Sequence, residues 1–253
     1  MTTKTQAESP REGRAHYLYG IIREDTGWEP DVAGLGEAPV RTVREGGLAA
    51  LVSDVASLRV VPTRAHLLMH QRVTEALVQR HTLVPVAFGT VLPSEERVRE
   101  LLRVARAPLS RALSELEGRV ELGLKVYCHG DALTRSLQKA NPELARGPSE
   151  LEEDHEARLE AALRECTTKD LEGLKAGLRT LSEAVHEAAP LGERMLLNAA
   201  FLVDRTRVAA FEARVQSLVA RLDAYTFRFT GPWPAYSFVD VRLDVEPADS
   251  AAP

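Results

Sequence analysis

Three histidines offer the most direct route to chemistry in this chain. His66 and His70 stand four apart in a segment whose apolar spacing predicts a helix, and His81 follows eleven residues later. At about 100° per residue the three project within about 60° of one another, an arc that could present several imidazoles to one metal ion. The run reads His-Leu-Leu-Met-His, however, and lacks the glutamate that a zinc hydrolase needs as general base after its first histidine. The same face borders Val73 and Leu77, so packed or hydrogen-bonded histidines are the expectation. A metal-dependent enzyme using the His66, His70 and His81 face is kept as an alternative.

Other reactive patterns are weaker. Gly34-Leu35-Gly36 lacks the third glycine of a dinucleotide turn, Phe88-Gly89-Thr90 lacks the lysine of a phosphate loop, and no Gly-x-Ser-x-Gly elbow occurs. Cys128 and Cys166 lie thirty-eight residues apart, outside any Cys-x-x-Cys pair, which signals neither a disulfide framework nor a zinc knuckle. Glu152, Glu153, Asp154 and Glu156 cluster at a helix start, where carboxylates favour the dipole without needing an active site. Tyr17, Tyr19 and Tyr127 could stack bases on a sheet, but the basic rim of an RNA-binding face is missing. The residues assign no catalytic group, metal or cofactor.

With 253 residues the chain can hold two small domains, each with its own core. Hydrophobic residues at 44% and charged residues at 27% fit an ordinary globular protein, and a net charge of −5 argues against nucleic acid as a partner. No apolar run approaches the roughly 20 residues that cross a bilayer, and the opening residues lack a secretory pattern, so a cytoplasmic protein is expected.

Residues 1–15 and 246–253 lack apolar periodicity and read as disordered tails. Tyr17 to Arg23 reads as a strand apolar on both faces. Val40 to Arg44 and Leu48 to Val55 follow as a hairpin around Gly46 and Gly47. Helices are expected over Thr63 to Arg80, after the Ser94 cap, and after Pro108. Strict alternation from Val120 to Cys128 marks the cleanest strand. This order describes an α+β ferredoxin-like sandwich over 16–130.

A second ferredoxin-like α+β sandwich domain, with an inserted helical hairpin, is expected over 131–245. Its first part, about 134–189, reads as a coiled-coil-like helical hairpin. Leu171, Leu174, Leu178, Leu181, Val185 and Ala188 form one seam, out of register with Leu159, Ala162 and Cys166, which suggests a break at Thr167 and Thr168. A strand over Met195 to Val203, a helix over Val208 to Leu222, and two strands, Tyr225 to Phe229 and Tyr236 to Leu243, complete it. Between the last two lies Thr-Gly-Pro-Trp-Pro-Ala-Tyr, where Pro232 and Pro234 interrupt a ladder on either side of Trp233. Such a corner either stitches core strands or presents Trp233 to a partner; nothing local separates the two.

Together with YLYGII (Tyr17 to Ile22), GLAALVSDV (Gly47 to Val55), His70, PVAFGTVL (Pro85 to Leu92), ELGLKV (Glu121 to Val126) and LNAAFLVD (Leu197 to Asp204), this corner resembles the gas vesicle accessory proteins of the GvpF/GvpL family. The resemblance runs from about Tyr17 to Leu243. The family's corner usually reads Gly-Pro-Trp-Pro-Pro-Tyr, and Ala235 here replaces the second proline of the pair. The stretch from Thr134 to Ala189 carries none of its motifs.

The resemblance implies two α+β domains and a non-enzymatic accessory or minor structural protein of gas vesicles. It would contact the small hydrophobic shell protein (GvpA-type) and other accessory proteins, assist nucleation, and prevent premature aggregation of the shell subunit. A scaffold that links accessory proteins without touching the shell is the alternative. Candidate contacts are Gly231, Pro232, Trp233, Pro234 and Tyr236, then Phe88 and Gly89. They would work through an open sheet edge, or through a groove between the helical hairpin and the second sheet that takes an apolar helix.

Overall fold

The computed structural model describes residues 14–192 and 194–241, in two compact units. Unit 1 comprises the chain up to Glu117 together with the segment from Pro234 onward, and unit 2 runs from Gly118 to Trp233. The expected tails lie outside the described residues, except that Arg14 is described and Ala15 opens the first strand.

Unit 1 is built on β1 (Ala15–Arg23), β2 (Arg41–Glu45), β3 (Leu48–Val55) and two short strands, β4 (Val84–Pro85) and β5 (Val91–Leu92). The sheet is antiparallel in the order β2-β3-β1-β4, with β5 also on β1. β1 is buried on both faces, as its two-sided apolar pattern requires of a central strand. Gly46 and Gly47 take the positive φ that the β2–β3 turn needs, at 59° and 84°. β3 returns through α1 (Arg64–Val78), capped by the Thr63 hydroxyl, which accepts from the His66 N–H. This is a ferredoxin-like order in which a loop, residues 24–40, replaces the first crossover helix. Polar anchors fix that loop: the Leu35 N–H donates to the Tyr19 hydroxyl at 2.8 Å, the Glu29 carboxylate accepts from Thr42 N and Oγ1, and the Trp28 carbonyl accepts from Arg44.

α2 (Glu95–Val104) and α3 (Arg106–Glu115) follow β5. Ser94 caps α2 as expected, and Val98, Leu102, Leu109 and Leu113 are fully buried. A separate cluster gathers Tyr17, Tyr19, Leu35, Leu51, Val73 and Leu77 between the sheet, α1 and the loop.

Unit 2 carries β6 (Arg119–Cys128), α4 (Gly130–Ala140), α5 (Glu152–Arg179), β7 (Ala184–Glu187), β8 (Met195–Asp204), α6 (Val208–Val219) and β9 (Tyr225–Trp233). Its antiparallel order, β7-β8-β6-β9, with helical crossovers from β6 to β7 and from β8 to β9, is again ferredoxin-like. One face of the sheet, Leu122, Leu124, Val126, Leu197, Phe201 and Val203, packs against Leu174, Leu178, Phe211 and Val215. Each such side chain contributes about 1.5–3 kcal/mol by leaving water.

The tertiary arrangement corrects four sequence expectations. The unit boundary falls at Glu117/Gly118 rather than near 130, because β6 pairs with β8 and β9 and so is the central strand of the second sheet. No break occurs at Thr167 and Thr168. α5 runs unbroken through both, and the Thr168 hydroxyl donates to the Arg164 carbonyl as helix-interior threonines do. The paired helices are therefore α4 and α5, and Val185 sits on strand β7 instead of a helical seam. Finally, β9 continues to Trp233, and Tyr236–Phe238 is a 3-10 turn instead of a strand. β9 is an edge strand, so Pro232 removes no ladder bond on its open side. The part of the expected last strand beyond residue 241 lies outside the described residues.

Candidate functional site

A buried polar chain runs through the aromatic core of unit 1. The Gly89 N–H donates to the Tyr17 hydroxyl at 3.2 Å, Tyr17 Oη lies 2.8 Å from His70 Nδ1, and His70 Nε2 lies 2.9 Å from Tyr236 Oη. β1 supplies Tyr17, the middle of α1 supplies His70, the turn between β4 and β5 supplies Phe88 and Gly89, and the 3-10 turn after Pro234 supplies Tyr236. The alternation of β1 places Tyr17 and Tyr19 on one face, toward α1. Tyr19 stacks on His70 with ring centroids 5.7 Å apart, and Phe88 meets it edge-on at 5.8 Å.

Burial governs the electrostatics. It pushes the Tyr17 and Tyr19 hydroxyls up and holds His70 down at about 4, against the opposing hydrogen bond to the Val86 carbonyl. His70 is therefore neutral at neutral pH, with one donor and one acceptor nitrogen, each facing a tyrosine hydroxyl. Such a histidine ties three segments together and is fully engaged. Tyr236 differs from its neighbours: its hydroxyl is anchored inward, while its ring leaves the residue 41% exposed.

The three histidines considered as a ligand set do not converge. His66 Nδ1 bonds the Val61 carbonyl at 2.8 Å, and His70 is enclosed as described. His81 lies beyond the end of α1, packed on Trp28 with centroids 4.1 Å apart. The helix stops before His81, so the common arc inferred from regular helical spacing never forms. Among the described residues no group of three or more His, Cys, Asp or Glu is placed to hold a metal. Tyr17 and Tyr19 are fully buried and unavailable for base stacking.

Of the expected contact residues, the structure gathers Phe88, Gly89 and Tyr236 around His70. Pro234 is buried in the same unit. Gly231, Pro232 and Trp233 instead end β9 in unit 2, half-buried, with Trp233 opposite Glu121. The space expected between the helices and the second sheet is filled, since Leu174 and Leu178 are buried there. The open edge of β9 remains. Sequence reasoning missed His70 as the partner of Tyr236, because 166 residues separate the two.

Gly231 has a steric role. Its φ is +119°, and a Cβ there would lie 2.8 Å from the Glu121 carbonyl oxygen and 3.0 Å from Leu122 Cδ2. Gly231→Ala should destabilise unit 2 by about 2 kcal/mol, read as a lower urea midpoint. An alanine variant as stable as wild type would show that the β6–β9 junction does not need glycine.

Two ferredoxin-like α+β units, the first enclosing a neutral histidine between tyrosine hydroxyls, define the class of fold. Among the described residues, no helix is long and apolar enough to cross a membrane. The family model described as gas vesicle synthesis protein GvpL/GvpF matches residues 15–240, and the chain belongs to that family. It is 30% identical to gas vesicle protein F2 of Halobacterium salinarum, over 92% of this chain and 95% of that protein. It is also 30% identical to gas vesicle protein L of a Streptomyces species, over 90% and 94% of the two chains. The crystal structure of the gas vesicle protein GvpF from an Anabaena species superposes with a TM-score of 0.77 at 24% identity, covering 90% of this chain and 97% of the other, which supports the fold.

Proposed function

We propose that this chain is a non-enzymatic, cytoplasmic accessory protein of gas vesicles that binds the hydrophobic shell protein and assists nucleation while limiting its aggregation. The observation that carries this reading is the family match across both units, residues 15–240, with relatives named as gas vesicle proteins F and L. The physical support is general: a shell subunit must expose apolar surface before it polymerises, and such surface aggregates unless a partner covers it. The contacts proposed are the Tyr236 ring with Phe88, Gly89 and the adjoining Pro234, and Gly231, Pro232 and Trp233 at the end of edge strand β9.

Co-expression of the shell protein with this chain tests the proposal through the soluble fraction of shell protein. Wild type should raise that fraction, and Trp233→Ala and Tyr236→Ala should each reduce it several-fold. Tyr236→Phe, which keeps the ring and loses only the hydroxyl, should stay close to wild type. Equal soluble yields with and without the wild-type chain would overturn shell binding. Retained effect in folded Trp233→Ala and Tyr236→Ala variants would move the contact elsewhere.

A further inference from the structure

The strap entering α1 and the first turns of that helix carry apolar side chains that the core does not use. Leu58, Val61, Leu67 and Leu68 are 54%, 62%, 45% and 43% exposed. On α1 the buried side is set by His70, Val73, Thr74 and Leu77. At about 100° per residue Leu68 points almost directly away from it, with Arg64 and Arg72 one turn to either side. Leu68 keeps 43% of its surface in water, so a large part of its packing capacity is unused by the core.

The charge around these residues is predominantly positive. Residues 56–74 contain Arg59, Arg64 and Arg72 and no aspartate or glutamate, in a chain whose net charge is −5. All three arginines are exposed, and none pairs with a carboxylate among the described residues. Asp54 is engaged with His16 and Arg41, while Glu75, three residues past Arg72 on the same face, hydrogen-bonds the neutral Gln71 amide at 2.7 Å, so the face carries three arginines against one carboxylate. The surface is also held in place. The Val61 carbonyl accepts from the Thr63 N–H and faces His66 Nδ1, both at 2.8 Å, locking the strap to the first turn.

We infer that this face docks an acidic amphipathic helix of a partner protein. Arg64, Leu68 and Arg72 form an i, i+4, i+8 ridge about 12 Å long, the kind of row that seats in the groove of a second helix. Leu67 and Val61 widen the apolar strip, and the arginines on its flanks match carboxylates bordering the partner's apolar stripe. A bilayer is a poorer match, because α1's main apolar face is already in the core and the few residues left insert little area. The inference does not rest on the shell contact proposed above, and its experiment contains no shell protein, so either can fail alone.

The test is fluorescence polarisation with the full chain and a labelled helical peptide of about 20 residues, leucines on one face and glutamates on its flanks. A second peptide replaces every glutamate by lysine. The acidic peptide should bind, more weakly at high salt, and the lysine peptide should not. Affinity should fall about tenfold or more in Leu68→Ser and in the Arg64→Glu, Arg72→Glu double variant, both altering exposed positions; unchanged melting would confirm that they fold. Equal binding of the two peptides, or unchanged affinity in both variants, would overturn the inference. So would binding to phosphatidylglycerol vesicles without binding to the acidic peptide, which would assign the face to a lipid surface.

Discussion

Exchanging His70 for leucine is expected to lower the stability of unit 1 by about 3 kcal/mol at pH 7.5, measured by urea unfolding. Leucine fills part of the space, but the buried Tyr17 hydroxyl loses the nitrogen 2.8 Å away and Tyr236 loses its inward anchor. The Tyr17 hydroxyl keeps the Gly89 N–H but loses its bond to the imidazole inside the core, which carries most of that penalty, and lost contacts with Tyr19 and Phe88 add to it. The same residue sets a pH dependence. Its folded value, about 4, lies below the ordinary 6.5, so between these limits the unfolded chain binds more protons than the folded one. Stability from the neutral imidazole is therefore complete above about pH 6.5 and is lost as the pH falls toward 4, by up to about 3 kcal/mol. The leucine variant has no such loss, and its deficit relative to wild type should shrink between pH 7.5 and 4.5. A constant deficit would show that His70 is not held neutral.

Phe211→Ala should have an effect at least as large in unit 2, about 3–5 kcal/mol. Phe211 is fully buried, its centroid 5.1 Å from Phe201 and 6.1 Å from Phe229, so it connects α6 to β8 and β9. Truncation leaves a cavity under the centre of the sheet that these rings cannot close without leaving their own neighbours. Amide exchange in β6 and β8 should accelerate about a hundredfold or more. A loss below about 1 kcal/mol would mean that the core of this unit relaxes around the gap.

The local vocabulary of the fold was legible because each element announces itself within a few residues. Two-sided apolar β1, the Gly46-Gly47 turn, the Ser94 cap and the alternation of β6 all formed as their chemistry requires. β7 was not legible: Ala184–Glu187 has too few residues to show a period of two, and its leucine-rich approach continued a helical spacing by coincidence. The continuity of α5 through Thr167 and Thr168 was hidden for the opposite reason, since two threonines lower helix propensity only slightly and packing of Leu174 and Leu178 outweighs them.

By itself, then, the sequence determined the α+β class, most of the elements, and, through its motifs, the gas vesicle family. Which strands share a sheet was decided only in three dimensions: β6 belongs with β8 and β9 although it follows α3 directly, because pairing is a choice among distant partners that no local pattern encodes. The candidate site was divided in the same way. Phe88, Gly89 and Tyr236 could be singled out as residues, but their meeting at a neutral His70, and the departure of Trp233 to the other unit, depended on chain closure over 166 residues and on the burial that closure creates.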